Sequence, residues 1–109
     1  MGILSCLLEK DRRAAINEIY GLIRKNGIIY LQVDSIKDMN YKVGKEIEKN
    51  TFLRKGKQPL PGCCFHYFSK HELSKEFRRF RSKRIRKIRV PHLHDQPHTH
   101  ILYELLAKK

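Results

Sequence analysis

Residues 11–33, DRRAAINEIYGLIRKNGIIYLQV, decide the fold. Ile16, Ile19, Tyr20 and Ile23 fall at i, i+3, i+4 and i+7, which lays one apolar stripe along a helix. The stripe predicts an amphipathic helix over 11–25. Arg24 and Lys25 then sit in its last turn, where cations suit the helix dipole. Asn26-Gly27 supplies the left-handed residue that ends it. Ile28 to Val33 follows at once as a short, nearly continuous apolar run bounded by Gly27 and Asp34-Ser35. Such a run predicts a strand buried on both faces, as in a parallel sheet. A helix, a glycine turn and a buried strand make half of a βαβ unit, so the expected class is α/β.

Working outward, residues 1–8 read as the tail of a preceding strand plus a turn. On the other side, residues 35–64 are polar and carry Gly44, Gly56, Pro59, Pro61 and Gly62. This composition predicts a loop with at most a short helix or hairpin, and residues 35–67 read as one long loop or insert. Loops of that length in a compact domain are usually functional or mobile.

Residues 68–80 hold the clearest local signal. Ser69 and Glu72 form an S-x-x-E capping box, with Phe68 and Leu73 placed for a hydrophobic staple across it. Leu73, Phe77 and Phe80 continue as a buried stripe. Residues 83–90 read as a strand with Ile88 and Val90 on one face, ended by Pro91. A polar turn over 92–98 and a last apolar strand over 99–107 complete the order. The short connection makes the last two strands antiparallel neighbours. The expected fold is thus a partial Rossmann-like sheet of about three strands with two main helices, filling 1–109 as one domain.

Composition narrows the function classes. The chain has 109 residues, 40% of them hydrophobic, enough for one modest core. Lys and Arg outnumber Asp and Glu by 24 to 11, a net charge of +13 that favours acidic partners such as nucleic acid. Three cysteines, two of them adjacent, make a poor disulfide framework and point to a reducing, cytoplasmic setting. The longest apolar run, Gly2 to Leu8, is too short to span a bilayer, so no membrane partner is expected.

The order of elements resembles the end of a class I S-adenosylmethionine-dependent methyltransferase, in which a seventh, antiparallel strand inserts between the fifth and sixth. Residues 11–31 are similar to that family's passage from its fourth helix into its fifth strand. Gly44 to Phe52 looks like an insert of the subset grouped with type 11 and tellurite-resistance-like methyltransferases. Gly62 to Leu73, with His66-Tyr67-Phe68-Ser69 at its centre, is similar to that subset's Gly-x-x-His-x-Phe segment, although Cys63, Cys64 and Phe65 depart from the common Leu-Pro-His. Tyr103 and Leu106 to Lys109 fit the seventh strand. The resemblance implies a C-terminal fragment of a methyltransferase that uses S-adenosylmethionine on an unidentified acceptor. No G-x-G occurs in the sequence, so the chain alone is expected to bind no cofactor and to be inactive. Its expected partner is an N-terminal methyltransferase half, or a second copy of itself.

The resemblance makes His66 the candidate catalytic base and places Glu46, Glu48, Asn50 and Thr51 in loops over a substrate; the plainer reading is an ordinary polar connection. His92, His94, His98 and His100 form two H-x-H pairs with zinc-like spacing, but no carboxylate or cysteine completes a familiar site, so no metal is expected. Cys63-Cys64 carries no reactive signature. Residues 78–89 hold eight basic side chains: Arg78, Arg79, Arg81, Lys83, Arg84, Arg86, Lys87 and Arg89. The functional alternative is a small nucleic-acid-binding protein using the arginines of this stripe. The plainer reading is a solvated helix end and edge strand, since no aromatics interleave for base stacking.

Overall fold

A computed structural model describes residues 3–53, 64–92 and 98–109. Helix α1 spans Glu9–Leu22 and helix α2 spans Lys70–Glu76. The strands are β1 (Ile28–Asp34), β2 (Lys45–Glu48), β3 (Thr51–Leu53), β4 (Cys64–His66), β5 (Ser82–His92) and β6 (His98–Lys108). They form two three-stranded sheets, ordered β1-β6-β5 and β2-β3-β4, with every pairing antiparallel. The class is α/β with two helices, and the last two strands pair as expected, from Ser82 opposite Lys108 to His92 opposite His98.

Helix α1 carries its expected apolar stripe. Ile16 is buried in the main core, and Tyr20 and Ile23 pack against it. Asn26 takes the left-handed conformation at φ 68°, as the Asn-Gly pair implied. Gly27 must stay bare, because a Cβ there would lie 2.5 Å from the Ile23 side chain. The expected end is corrected, however: the helix stops at Leu22, so Arg24 and Lys25 lie beyond it. The cation at its carbonyl end is Lys109, whose Nζ donates to the Tyr20 and Ile23 carbonyls at 2.7 and 2.9 Å.

Strand β1 also differs from expectation. Its exposure alternates, with Ile28 64% and Tyr30 51% exposed while Val33 is buried. It is one-sided, as antiparallel sheets commonly are. Both helices lie on the same face of the sheet. There Val33, Tyr103, Leu105 and Ala107 meet Ile16 of α1, with Leu73 of α2 and Phe77 and Phe80 just beyond it. On the opposite face the Tyr30 hydroxyl donates to Glu104 at 2.6 Å, and Arg86 pairs with Glu104 at 2.7 Å. That hydrogen bond from Tyr30, helped by Arg86, holds the Glu104 carboxyl below its usual range.

Residues 35–67 are not one loop. Turns follow β1, Asn50 turns the chain between β2 and β3 at φ 59°, and β4 adds a third strand. Tyr41, Phe52 and Tyr67 pack edge-on at 5.6–6.1 Å and give this sheet its own small core. Asp38 ties the preceding turn to β6 by accepting the Ile101 N–H at 2.6 Å. The two sheets join where the Phe68 N–H donates to the Asp34 carbonyl at 2.8 Å and its carbonyl accepts the Ile36 N–H at 3.0 Å. Two smaller expectations are also corrected. Ile3–Cys6 is a single 3-10 turn rather than a strand tail. Strand β5 runs through Pro91, which an edge position tolerates because no ladder donor is needed there.

Candidate functional site

The site begins with the cap of α2. Ser69 stands at the N-cap and its Oγ accepts the Glu72 N–H at 3.0 Å. Phe68 and Leu73 are both fully buried in the main core, as a staple across that cap requires. Only this half of the capping box forms as expected. The Glu72 carboxylate reaches instead toward β4, where both of its oxygens stand 2.9 Å from His66 Nε2. His66 Nδ1 lies 2.7 Å from Thr51 Oγ1 on β3. With Nε2 donating to the carboxylate, Nδ1 accepts the threonine hydroxyl, and both ring nitrogens are satisfied. The ring also packs edge-on against Phe68 at 4.5 Å. Thr51–His66–Glu72 is therefore a fixed relay leading outward from a buried hydroxyl.

Arg12 of α1 enters the same cluster and is 2% exposed. Its Nη1 donates to the Leu7 carbonyl at 3.1 Å, its Nε to Glu76 at 3.2 Å, and its Nη2 lies 3.7 Å from Glu72. Its guanidinium also sits 5.5 Å from the centre of the Phe68 ring. Burial pushes the Glu76 carboxyl above its ordinary range, and the neighbouring Arg12 charge offsets this only in part. One Glu76 oxygen, Oε2, is buried without a hydrogen-bond partner.

A second carboxylate cluster lies where β1 ends. The Asp34 carboxyl is raised by burial and then by the nearby Asp38 charge, and its Oδ2 has no partner. Asp38 in turn stands 3.3 Å from His100 Nδ1.

Beside Glu72 and Glu76, the facing sides of α1 and α2 and the β2–β3 turn enclose a cleft of about 740 Å³. Glu72 opens onto it with 27% of its side chain exposed. His66 does not line it, and at 1% exposure its ring is out of a substrate's reach. The group presented to a ligand is Glu72, with His66 behind it.

The four expected pocket residues divide among separate tasks. Asn50 lines the cleft. Thr51 is buried and holds His66. Glu48 accepts the Glu9 N–H at 2.9 Å, serving a helix whose N-cap, Leu8, offers no side-chain cap. Glu46 accepts the Asn50 N–H within its own turn.

The basic stripe does not form one face. Arg78 and Arg79 lie on the cleft wall, and Arg79 stacks over Tyr20 at 4.1 Å. Arg81 donates to Asn26 at 2.6 Å. Along β5, the register puts Arg84 and Arg86 on the face opposite the helices, while Lys83, Lys87 and Arg89 point the other way. The strand is an edge, where charge discourages further pairing.

Of the remaining candidates, Cys63 and His94 lie outside the described residues. Cys64 is buried and its thiol donates to the Cys6 carbonyl at 3.5 Å. Among the described residues no group of three or more His, Cys, Asp or Glu is arranged to hold a metal. No described helix is long and apolar enough to cross a membrane. No protein-family model and no curated protein matches the sequence.

Proposed function

We propose that this chain is the C-terminal portion of a class I S-adenosylmethionine-dependent methyltransferase, active toward its acceptor only when a second polypeptide completes the sheet. One observation carries the reading: an antiparallel strand, β6, is inserted between two strands that run in the same direction, β1 and β5. Two further features support it. Both helices cover one face, while Ile28, Tyr30 and Leu106 stand exposed on the other. Along 28–33 the outer edge of β1 has no partner strand among the described residues. A larger sheet with a helical layer on its second face would cover both.

The described residues do not fit the cofactor by themselves. Gly27 serves close packing at the end of α1, and Gly44, at φ 97°, precedes the short strand β2, so neither forms a phosphate- or ribose-type cradle.

Two measurements test the reading. Calorimetry on the chain alone should detect no micromolar binding of S-adenosylmethionine. Light scattering and thermal melting, on the chain alone and co-expressed with an N-terminal methyltransferase half, should show self-association alone and a raised melting temperature with the half. A stable monomer with a sharp cooperative melt, unmoved by the added half, refutes the proposal.

A further inference from the structure

Independently of the methyltransferase reading, the α1–α2 cleft has the chemistry of a ligand site. Its floor is a carboxylate whose orientation is fixed from behind. Glu72 is held at 2.9 Å by a fully buried imidazole, which is itself held at 2.7 Å by a fully buried threonine hydroxyl. A carboxylate has about four lone-pair directions, so one bonded inward still accepts N–H donors from the open side. Its orientation costs a ligand nothing to establish.

The rim has the opposite charge. Arg13 is answered by Glu9 at 2.8 Å, and Arg79 is occupied by Tyr20 and Asn17. Lys49, Lys75 and Arg78 line the same cleft, and among the described residues none of them stands within ion-pair distance of a carboxylate. These three cations come from both sides of the opening: the β2–β3 turn and the end of α2. The volume, about 740 Å³, lies within the range of small-molecule pockets, about 300–1,000 Å³.

We infer that this cleft binds a phosphorylated small molecule with an N–H-donating head group, of the nucleotide class. Glu72 takes the N–H groups, and Lys49, Lys75 and Arg78 take the phosphate. A base with an exocyclic amino group, such as guanine, suits the floor, because the Glu72 oxygens, both turned toward His66 Nε2, keep outward lone pairs that each take a single N–H donor. Ionic contact with the phosphate supplies affinity, and the carboxylate supplies selectivity.

The test is calorimetry on the full chain with four probes: guanosine monophosphate, inosine monophosphate, guanosine and inorganic phosphate. The guanine nucleotide should bind best, with each of the other three at least about tenfold weaker. Glu72→Gln should weaken guanosine monophosphate by about tenfold and leave inorganic phosphate unchanged, because only the head-group contact is lost. The double change Lys75→Ala with Arg78→Ala, at exposed positions, should weaken both phosphate-bearing nucleotides and leave guanosine unchanged. Circular dichroism establishes that each variant is folded, and the rim variant decides the matter if Glu72→Gln is not. A guanine-containing oligoribonucleotide that binds more tightly than the mononucleotide, with the same response to both variants, assigns the same contacts to an RNA source. Absence of saturable binding of guanosine monophosphate at millimolar concentration overturns the inference. So does equal binding of guanosine and its monophosphate.

Discussion

Replacing Arg12 with alanine probes the interior of this protein most directly. The side chain is 2% exposed and ends in contacts to the Leu7 carbonyl, Glu76 and Glu72. Removing it leaves the Glu76 carboxylate buried with neither of its oxygens partnered, since Oε2 has no partner even in the wild type. Breaking one side of such a pair costs about 3–5 kcal/mol. That is a large share of the roughly 5–15 kcal/mol available to a domain. Urea unfolding followed by circular dichroism should show the midpoint falling by about 2 M, for an m-value near 2 kcal/mol/M. The second half of the prediction has the opposite sign. Burial already outweighs Arg12 at the Glu76 carboxyl, so the pair is a poor source of stability. Changing both residues, Arg12→Leu with Glu76→Leu, should recover most of the loss, because an apolar pair carries no desolvation cost. An Arg12→Ala variant within about 1 kcal/mol of wild type would match an exposed ion pair instead, and would refute the buried network.

Other outcomes follow from the same contacts. Asp34→Asn should flatten the pH dependence of stability: Asp34 is raised above its ordinary 3.8 by burial, so in the window above 3.8 the native state holds more protons than the unfolded state, and stability falls as pH rises. Thermal melts between about pH 4 and pH 7 should show that decline in the wild type and a shallower one in the variant, where Glu76, also raised by burial, still contributes; the variant should be at least as stable at neutral pH. Ser69→Ala removes the hydroxyl that accepts the Glu72 N–H and should cost about 1 kcal/mol by chemical denaturation; no loss would mean the cap contributes nothing. Tyr30→Lys with Leu106→Lys, on the open sheet face, should reduce self-association in light scattering; unchanged association would place the contact elsewhere. Any nucleic-acid binding through β5 should be independent of sequence and weaken steeply with salt. Because Arg84 and Arg89 face opposite sides, one nucleic acid reaches only one of them, so glutamine at that one should lower the salt slope and glutamine at the other should leave it unchanged; persistent affinity for one sequence at high salt would contradict this.

Much of the main sheet is legible in the sequence because its elements are long enough for their period to register. The stripe through Ile16, Tyr20 and Ile23 marks α1, and Asn26 marks its end. Ser69, Phe68 and Leu73 mark the start of α2 independently of its short length. The one-sidedness of β1 was hidden because Ile28-Ile29-Tyr30-Leu31 is apolar at both parities, and only Gln32 hints at alternation. Strands β2, β3 and β4 have three or four residues each, too few for a period to stand out from polar turns. The site was half visible. His66 stood out by its residue type, but its true role depends on Glu72 turning away from its own cap, which local spacing does not encode. No sequence signal separates Arg12, which is buried, from Arg13, which is exposed; only the placement of α2 opposite α1 does so.

The position of β6 between β1 and β5 also orders the route by which the chain reaches this structure. The β5–β6 pairing is local, so the hairpin can close quickly. Among the described residues strand β1 pairs only with β6, in a register that sets Ile28 against Lys108 and Asp34 against Leu102, across most of the chain. That contact requires closing a long loop, whose entropy must be met before the pairing offers any return. The hairpin with α2 is thus the natural nucleus, and docking of β1 with α1 is the late event. Destabilising changes in β5 or β6 should slow the forward rate, whereas equal losses in β1 should mainly speed the reverse. Until β1 docks, both edges of the hairpin are open, and that interval is when the chain is most prone to pair with another copy of itself.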